Sequence, residues 1–432
     1  MNKKIAVLLV FVFIFSFFAP LKAFDGPEDI VSEAYVLMDA DTGQVLCSKN
    51  PEEKMYPASI TKIMTGILAL LNGSLESRIT MTEEAVFSIG RDTSHIALDT
   101  GEEITLEQAM YAMTMESAND ASNGIAELIA GSMDSFADMM NEKAAEIGAE
   151  NTHFANAHGL HDEQHYTTAL DMAKITRYGL SVPLFTQFFG AKKYEIPPTN
   201  KQEETRYFAS RNSLINGEIE CDGVLMSKNG WTNEAKNTLV TVCERDGKKL
   251  IAVVMKSIKG DDKYYDTAKL MDMGFDSFKE ETIPFDNIEK SIPDTVILES
   301  GSTAEIDKSA LKTENIAMMI PSDGSADDLS VAFGQAEIKG DYALLEGDIC
   351  YKGTPLENTA KLTLSLPLSL EAEPEAADAI SLSAEPEDKG GIPWLLILIP
   401  VFVVVGSALL FARHMHTKRV RRMRRLMRMR RR

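Results

Sequence analysis

Ser59 and Lys62 stand three residues apart in the stretch Pro57-Ala58-Ser59-Ile60-Thr61-Lys62. On a helix that spacing puts both side chains on one face, within reach of each other. A serine hydroxyl is a poor nucleophile until an adjacent base takes its proton. A lysine is such a base when burial or a second cation lowers its pKa. The chemistry this pair offers is covalent catalysis through an acylated serine. By itself the pair is better read as an ordinary solvated helix start, because so short a pattern recurs by chance in long chains. Two further groups lie downstream. Ser117 and Asn119 put a hydroxyl and an amide on one short connection, and Lys228-Asn229-Gly230-Trp231-Thr232 puts a cation, a glycine and a hydroxyl on a run that reads as a strand.

The elements that must hold these residues are legible in outline. Glu33 to Asp39 reads as a strand, Asp39 to Gly43 as a turn and Gln44 to Ser48 as a returning strand, so the chain opens with a hairpin. Pro57 suits a helix start, and Ile60 to Leu71 reads as a buried helix ending near Asn72-Gly73. Thr80 to Glu103 is mixed. Thr105 is a candidate N-cap for a helix over Leu106 to Met115, which stops at Glu116-Ser117-Ala118-Asn119-Asp120. A second helix then runs to Ala130, a third covers Met133 to Ile147, and Thr168 caps a fourth over Leu170 to Gly179. Strands follow: Val224 onward, Asn237 to Cys243 and Leu250 to Met255. An amphipathic helix over Tyr264 to Lys279 closes this part. The order predicts an antiparallel sheet whose terminal parts come together, with a helical cluster inserted between them. From about Ile283, short alternating runs with polar turns predict a small all-β domain over 281–370, after a catalytic domain over 24–280.

Both ends read as targeting segments. Residues 1–23 form a secretory signal peptide, with Lys3 and Lys4 ahead of an apolar run. Residues 371–391 form an acidic tether. Ile392 to Ala412 carries no charge over 21 residues, enough for a transmembrane helix, and 413–432 holds ten Arg and one Lys with no acid. Positive charge directly after a span predicts a cytoplasmic C-terminus, with the bulk of the chain on the extracytoplasmic side of the cell membrane, single-pass. The whole chain carries a formal charge of −21; with +11 on the tail and +3 on the leader, residues 24–391 carry −35. That surface excludes nucleic acid as a partner.

Cys47, Cys221, Cys243 and Cys350 show no metal spacing. If residues 222–244 form a hairpin, Cys221 and Cys243 lie close together. His153, His158, His161 and His165 fall within one polar stretch. Spacings of three and four would allow a metal, but Gly159 and the Asn and Asp content predict a loop instead, and no H-E-x-x-H pattern supports a site. No metal and no cofactor is expected.

Ser59-x-x-Lys62, Ser117-x-Asn119 and Lys228-x-Gly230 in this order carry far more weight together than singly. With Asp39 to Leu46, Pro57 to Thr65, Ser117 to Ala121, Met140 to Ala144 and His158 to Asp162 around them, the chain resembles the low-molecular-weight penicillin-binding proteins. These are the serine-type D-alanyl-D-alanine carboxypeptidases. The resemblance covers roughly Glu33 to Lys279. It implies the α/β (α+β) serine β-lactamase/DD-peptidase fold, peptidoglycan stem peptides as substrates and β-lactam antibiotics as acylating inhibitors. It further implies roles. Ser59 is the nucleophile, Lys62 takes its proton and Ser117 passes the proton to the departing D-alanine. Asn119 holds the substrate backbone. Lys228 attracts the terminal carboxylate and helps to depress the pKa of Lys62. The backbone N–H groups of Ser59 and Trp231 form the oxyanion hole. Gly230 admits the substrate backbone.

The chain departs from the family pattern at Asn229, where Thr is usual, so an amide replaces a hydroxyl facing the carboxylate, while Thr232 keeps the motif's second hydroxyl. Ala157 stands where the family often has Pro, and a full span replaces the amphipathic anchor of many relatives. Two other readings compete. A β-lactamase of the same fold needs a carboxylate-activated water, and no Glu-x-x-Leu-Asn segment supplies one. A degenerate wall-binding protein has Asn229 as its only sign.

Overall fold

The computed structural model describes Phe24 and residues 26–370, apart from 299–301 and 313–314. The expected leader, tether, span and basic tail therefore lie outside the described residues. Among the described residues no helix is long and apolar enough to cross a membrane.

The opening hairpin pairs β1 (Ala34–Asp39) with β2 (Val45–Lys49). Asp39 closes its turn by accepting hydrogen bonds from the Thr42 backbone N–H and hydroxyl, at 2.8 and 2.6 Å. The helical cluster follows as α1 (Lys62–Asn72), α2 (Leu106–Met115), α3 (Asn119–Ala130), α4 (Met133–Ile147) and α5 (Ala169–Leu180). Thr105 caps α2 in a reciprocal box with Gln108, and Thr168 caps α5 by accepting from Asp171 N–H. The chain then returns to the sheet with β3 (Val224–Thr232), β4 (Lys236–Arg245) and β5 (Lys248–Ser257), and α6 (Asp262–Ser277) closes the unit.

The sheet order is β2-β1-β5-β4-β3, antiparallel throughout. Ala34 pairs with Met255, so the two sequence ends of the catalytic part meet at the centre of the sheet. Alternate residues face opposite sides of a strand, and the core divides accordingly. Val36, Met38, Val240, Val242, Ile251 and Val253 join the helical cluster. Leu37, Leu239, Ala252 and Val254 pack with Tyr264, Leu270 and Met271 of α6. A sheet buried on both faces explains why these strands read as continuous apolar runs.

Beyond α6 a second sheet builds its own core from residues such as Ile306, Val331, Leu345 and Leu364. Its longest strands, Tyr342–Tyr351 and Leu362–Leu370, pair antiparallel. The strand Phe278–Thr282 leads out of α6 and pairs with Ala317–Pro321. The buried Gln44 amide fastens this part to the opening hairpin: it donates to Met319 O at 2.8 Å and accepts from Met319 N–H at 2.9 Å.

Cys221, just ahead of β3, lies with its Sγ 3.7 Å from Cys243 Sγ on β4, as the hairpin reading expects. Both are thiols in this structure, as are the buried Cys47 and Cys350. Exposure to oxidised glutathione is expected to join Cys221 to Cys243 and to leave Cys47 and Cys350 reduced. Mass mapping without reductant tests this; four free thiols after treatment would contradict it.

Candidate active site

Ser59 sits in a tight 3-10 turn, Ala58–Thr61, that feeds directly into α1. A continuous α-helix from Pro57 is thus replaced by a tighter first turn, which brings residues i and i+3 into register. Lys62 Nζ lies 3.1 Å from Ser59 Oγ. The Nζ position is fixed by two more contacts, Asn119 Oδ1 and His158 O, both at 2.6 Å. Lys62 is wholly buried. Burial, then the charge of Lys228, holds its pKa well below the ordinary lysine value, and Asp120 opposes this. A neutral amine has two N–H groups and one lone pair. With Asn119 Oδ1 and His158 O taking the two hydrogens, the lone pair is left for the Ser59 hydroxyl.

Ser117 turns the chain between α2 and α3 with φ of +55°. That left-handed conformation is costly for a residue with a Cβ, and the surroundings must impose it. They do so through the next residues. Asn119 N–H donates to Ser94 O, and the buried Asp120 carboxylate accepts from the backbone N–H groups of Ile96 and Leu98. The connection is thereby tied to the 94–98 loop.

On β3, Lys228 Nζ donates to Ser117 Oγ at 3.1 Å and to Asn229 O at 2.8 Å. Burial pushes its pKa down to about 7. Gly230 lies so close to the Ser59 turn that an added Cβ would stand 2.6 Å from Ser59 N. Beside it Thr238 on β4 donates to Pro57 O at 2.9 Å, holding the turn against the sheet. Trp231 is 61% exposed at the rim. Because β3 ends the sheet order, its outer edge faces the site, as pairing with an extended peptide requires.

Ser59, Lys62, Ser117, Asn119, Lys228 and Gly230, scattered over 171 positions of sequence, are thus brought into one contiguous site. Asn229 lines an adjoining cavity of about 150 Å³ together with Ser117, Arg211 and Asn212. Thr232 is at the β3–β4 turn, where its hydroxyl accepts from Ala235 N–H at 3.0 Å. Three participants escape a reading of side-chain chemistry. The His158 carbonyl is a backbone group with no sequence signal. Asp120 falls inside a recognised segment but acts on backbone. Thr61, next to Lys62, bonds to the histidine loop. Among the described residues no cluster of His, Cys, Asp and Glu is arranged to hold a metal. His158 and His165 are buried within the loop's hydrogen bonds.

A family model described as D-alanyl-D-alanine carboxypeptidase matches residues 22–258, more than half of the chain. The chain is 35% identical over 290 residues to the D-alanyl-D-alanine carboxypeptidase DacF of Bacillus subtilis, covering 65% of this chain and 72% of that protein. It is 31% identical over 261 residues to DacA of Haemophilus influenzae, covering 59% of this chain and 64% of that protein. Among solved structures, penicillin binding protein 5 from Haemophilus influenzae superposes with a TM-score of 0.61 at 25% identity, covering 80% of this chain and 98% of that one. The match in sequence and in mixed α/β architecture is to one group of proteins, and the chain belongs to the D-alanyl-D-alanine carboxypeptidase family of serine hydrolases.

Proposed function

We propose that Ser59 attacks the D-Ala–D-Ala carbonyl of peptidoglycan stem pentapeptides and that the resulting tetrahedral intermediate expels the terminal D-alanine, leaving the shortened peptide as an acyl-enzyme on Ser59. The observation that carries this reading is the placement of Lys62 Nζ, 3.1 Å from Ser59 Oγ with two other acceptors at 2.6 Å. Lys62 takes the Ser59 proton as the bond to the carbonyl carbon forms. Ser117 passes a proton to the departing amine. The backbone N–H groups of Ser59 and Trp231 receive the negative charge on the carbonyl oxygen. Asn119 orients the peptide while its Oδ1 holds Lys62, and Lys228 attracts the terminal carboxylate. Water then releases the shortened peptide. A β-lactam enters the same sequence and stays on Ser59. Anchoring through the apolar 392–412 segment, with the catalytic part outside the cell, completes the proposal.

The test uses a fluorescent penicillin and a D-Ala–D-Ala pentapeptide with the wild-type protein and Ser59→Ala. Stable labelling and D-alanine release, both lost in Ser59→Ala, are expected. A label that decays within seconds points to a β-lactamase, and neither activity in the wild type points to a binding protein.

A pH profile follows from the two lysines. Acylation needs Lys62 neutral, and burial and the charge of Lys228 both shift it in that direction. Capture of the carboxylate needs Lys228 charged, and with a pKa of about 7 the free enzyme loses that charge as pH rises above 7. The alkaline limb of kcat/KM is therefore expected near pH 7. The limb of kcat lies higher, because a bound carboxylate raises the Lys228 pKa. In Lys228→Arg the limb near 7 disappears, since guanidinium does not deprotonate. An unchanged limb would count against Lys228 as its source.

A further inference from the structure

One peptide unit, between Ala58 and Ser59, carries the proposed oxyanion donor. In a trans peptide the C=O and the N–H point to opposite sides. Whatever fixes the Ala58 carbonyl therefore aims the Ser59 N–H. Ala58 is itself held at φ of +50°, a conformation a non-glycine residue keeps only under constraint.

The constraint is a chain of hydrogen bonds running in one direction. Ala155 N–H donates to His165 Nδ1 at 3.0 Å. A neutral ring that accepts at Nδ1 carries its hydrogen on Nε2. Nε2 lies 2.8 Å from Thr61 Oγ1, so it donates there. The Thr61 hydroxyl then spends its own hydrogen on Ala58 O, also at 2.8 Å. All three residues are buried, Thr61 wholly and His165 and Ala58 to within 1%. From the other side Gly159, at φ of +87°, packs so closely that an added Cβ would stand 1.9 Å from Ala58 O. The carbonyl is therefore fixed by a hydroxyl and a glycine, and the N–H on the opposite side of the plane faces Gly230.

We infer that His165 and Thr61 are positioning residues for the oxyanion hole, aiming the Ser59 N–H through the Ala58 carbonyl. This rests on the reading of Ser59 as nucleophile. It assigns a purpose to the histidine loop: the Ala155–His165 segment carries both the acceptor that holds Lys62 and the donor that orients the electrophile's cradle.

The experiment measures penicillin acylation by the full chain, separating the non-covalent dissociation constant from the acylation rate constant. Thr61→Val keeps the shape and removes the hydroxyl; Thr61→Ser restores it. His165→Asn keeps an acceptor for Ala155 N–H but loses the donor to Thr61, whereas His165→Gln reaches the Nε2 position and keeps the donor. Misplacing a catalytic group by about 1 Å costs on the order of 100-fold. Thr61→Val and His165→Asn are accordingly expected to lower the acylation rate constant about 10- to 100-fold at an unchanged dissociation constant. Thr61→Ser and His165→Gln are expected to stay within a few-fold of wild type. A merely structural role would lower thermal stability and move both constants, and the hydroxyl and amide would not rescue. Wild-type acylation in Thr61→Val and His165→Asn, or equal loss in the rescuing variants, overturns the inference. Ser59→Ala runs alongside. Equal labelling of Ser59→Ala and wild type overturns the nucleophile reading and this inference with it. Labelling that depends on Ser59 but not on Thr61 overturns this inference alone.

Discussion

Replacing Lys62 by Met is expected to lower the acylation rate about 10³-fold or more while the protein still folds. General-base contributions run to roughly 10²–10⁴, and here the base also orders its neighbours. Lys62 Nζ contacts Ser59 Oγ, Asn119 Oδ1 and His158 O at once. Met fills a similar volume but leaves Asn119 without its partner, so substrate orientation suffers as well. Stability is pulled both ways. The cost of burying an ionisable amine beside Lys228 is removed, which favours folding. Two buried acceptors lose their donor, which costs about 1–3 kcal/mol each. Stopped-flow labelling with a fluorescent penicillin, beside a melting curve, reads both. Lys62→Arg sharpens the result: it fills the site with a permanent cation that cannot act as a base, so it is expected to be as slow as Met. An active Lys62→Arg would show that deprotonation of this residue is not required.

The second large effect is expected from Gly230→Ala. One methyl group is added, yet its Cβ would stand 2.6 Å from Ser59 N and 2.6 Å from Thr238 Oγ1. Neither neighbour yields easily. Ser59 N belongs to the constrained turn, and Thr238 is bonded to Pro57 O. The turn must retreat from β3, which separates the two proposed oxyanion donors and closes the groove along the strand edge. Removal of one such donor costs about 10²–10³ in rate, and a loss of that size is expected for both D-alanine release and penicillin acylation. Lys228 and Ser117 are unaffected in type, so the pH limb near 7 should persist at reduced amplitude. Wild-type acylation in Gly230→Ala would mean that the substrate does not approach this strand.

The parts that sequence reading reaches are those with a local physical signature. Thr105 and Thr168 announce helix starts because a hydroxyl at that position satisfies backbone donors within the next turn. The opening hairpin and the cysteine pair follow from alternation and turn residues nearby. Ser59 and Lys62 show their relation because three residues of helix bring them together. What stays hidden has partners far away in sequence. Thr61 and His165 are 104 positions apart, and in sequence the histidines read as polar loop residues with no sign of this partner. The left-handed backbones at Ala58 and Ser117 are equally unannounced, since neither residue type favours that conformation. Gln44 gives no hint that its amide will close against Met319, 275 positions on. Thr232 has a second task that its place in the motif does not announce: its hydroxyl accepts from Ala235 N–H in the strand turn.

The pairing of Ala34 with Met255 has a further consequence. Ser59 and Lys62 belong to the first part of the chain to emerge during synthesis, but Lys228 and Gly230 belong to a strand that joins the sheet only through β4 and β5. Contacts of such long sequence separation form late. A partly synthesised chain therefore carries Ser59 without Lys228 and the edge of β3 beside it. On the proposed reading of Ser59, the capacity to take up penicillin is expected to appear only once the two ends of the domain have met.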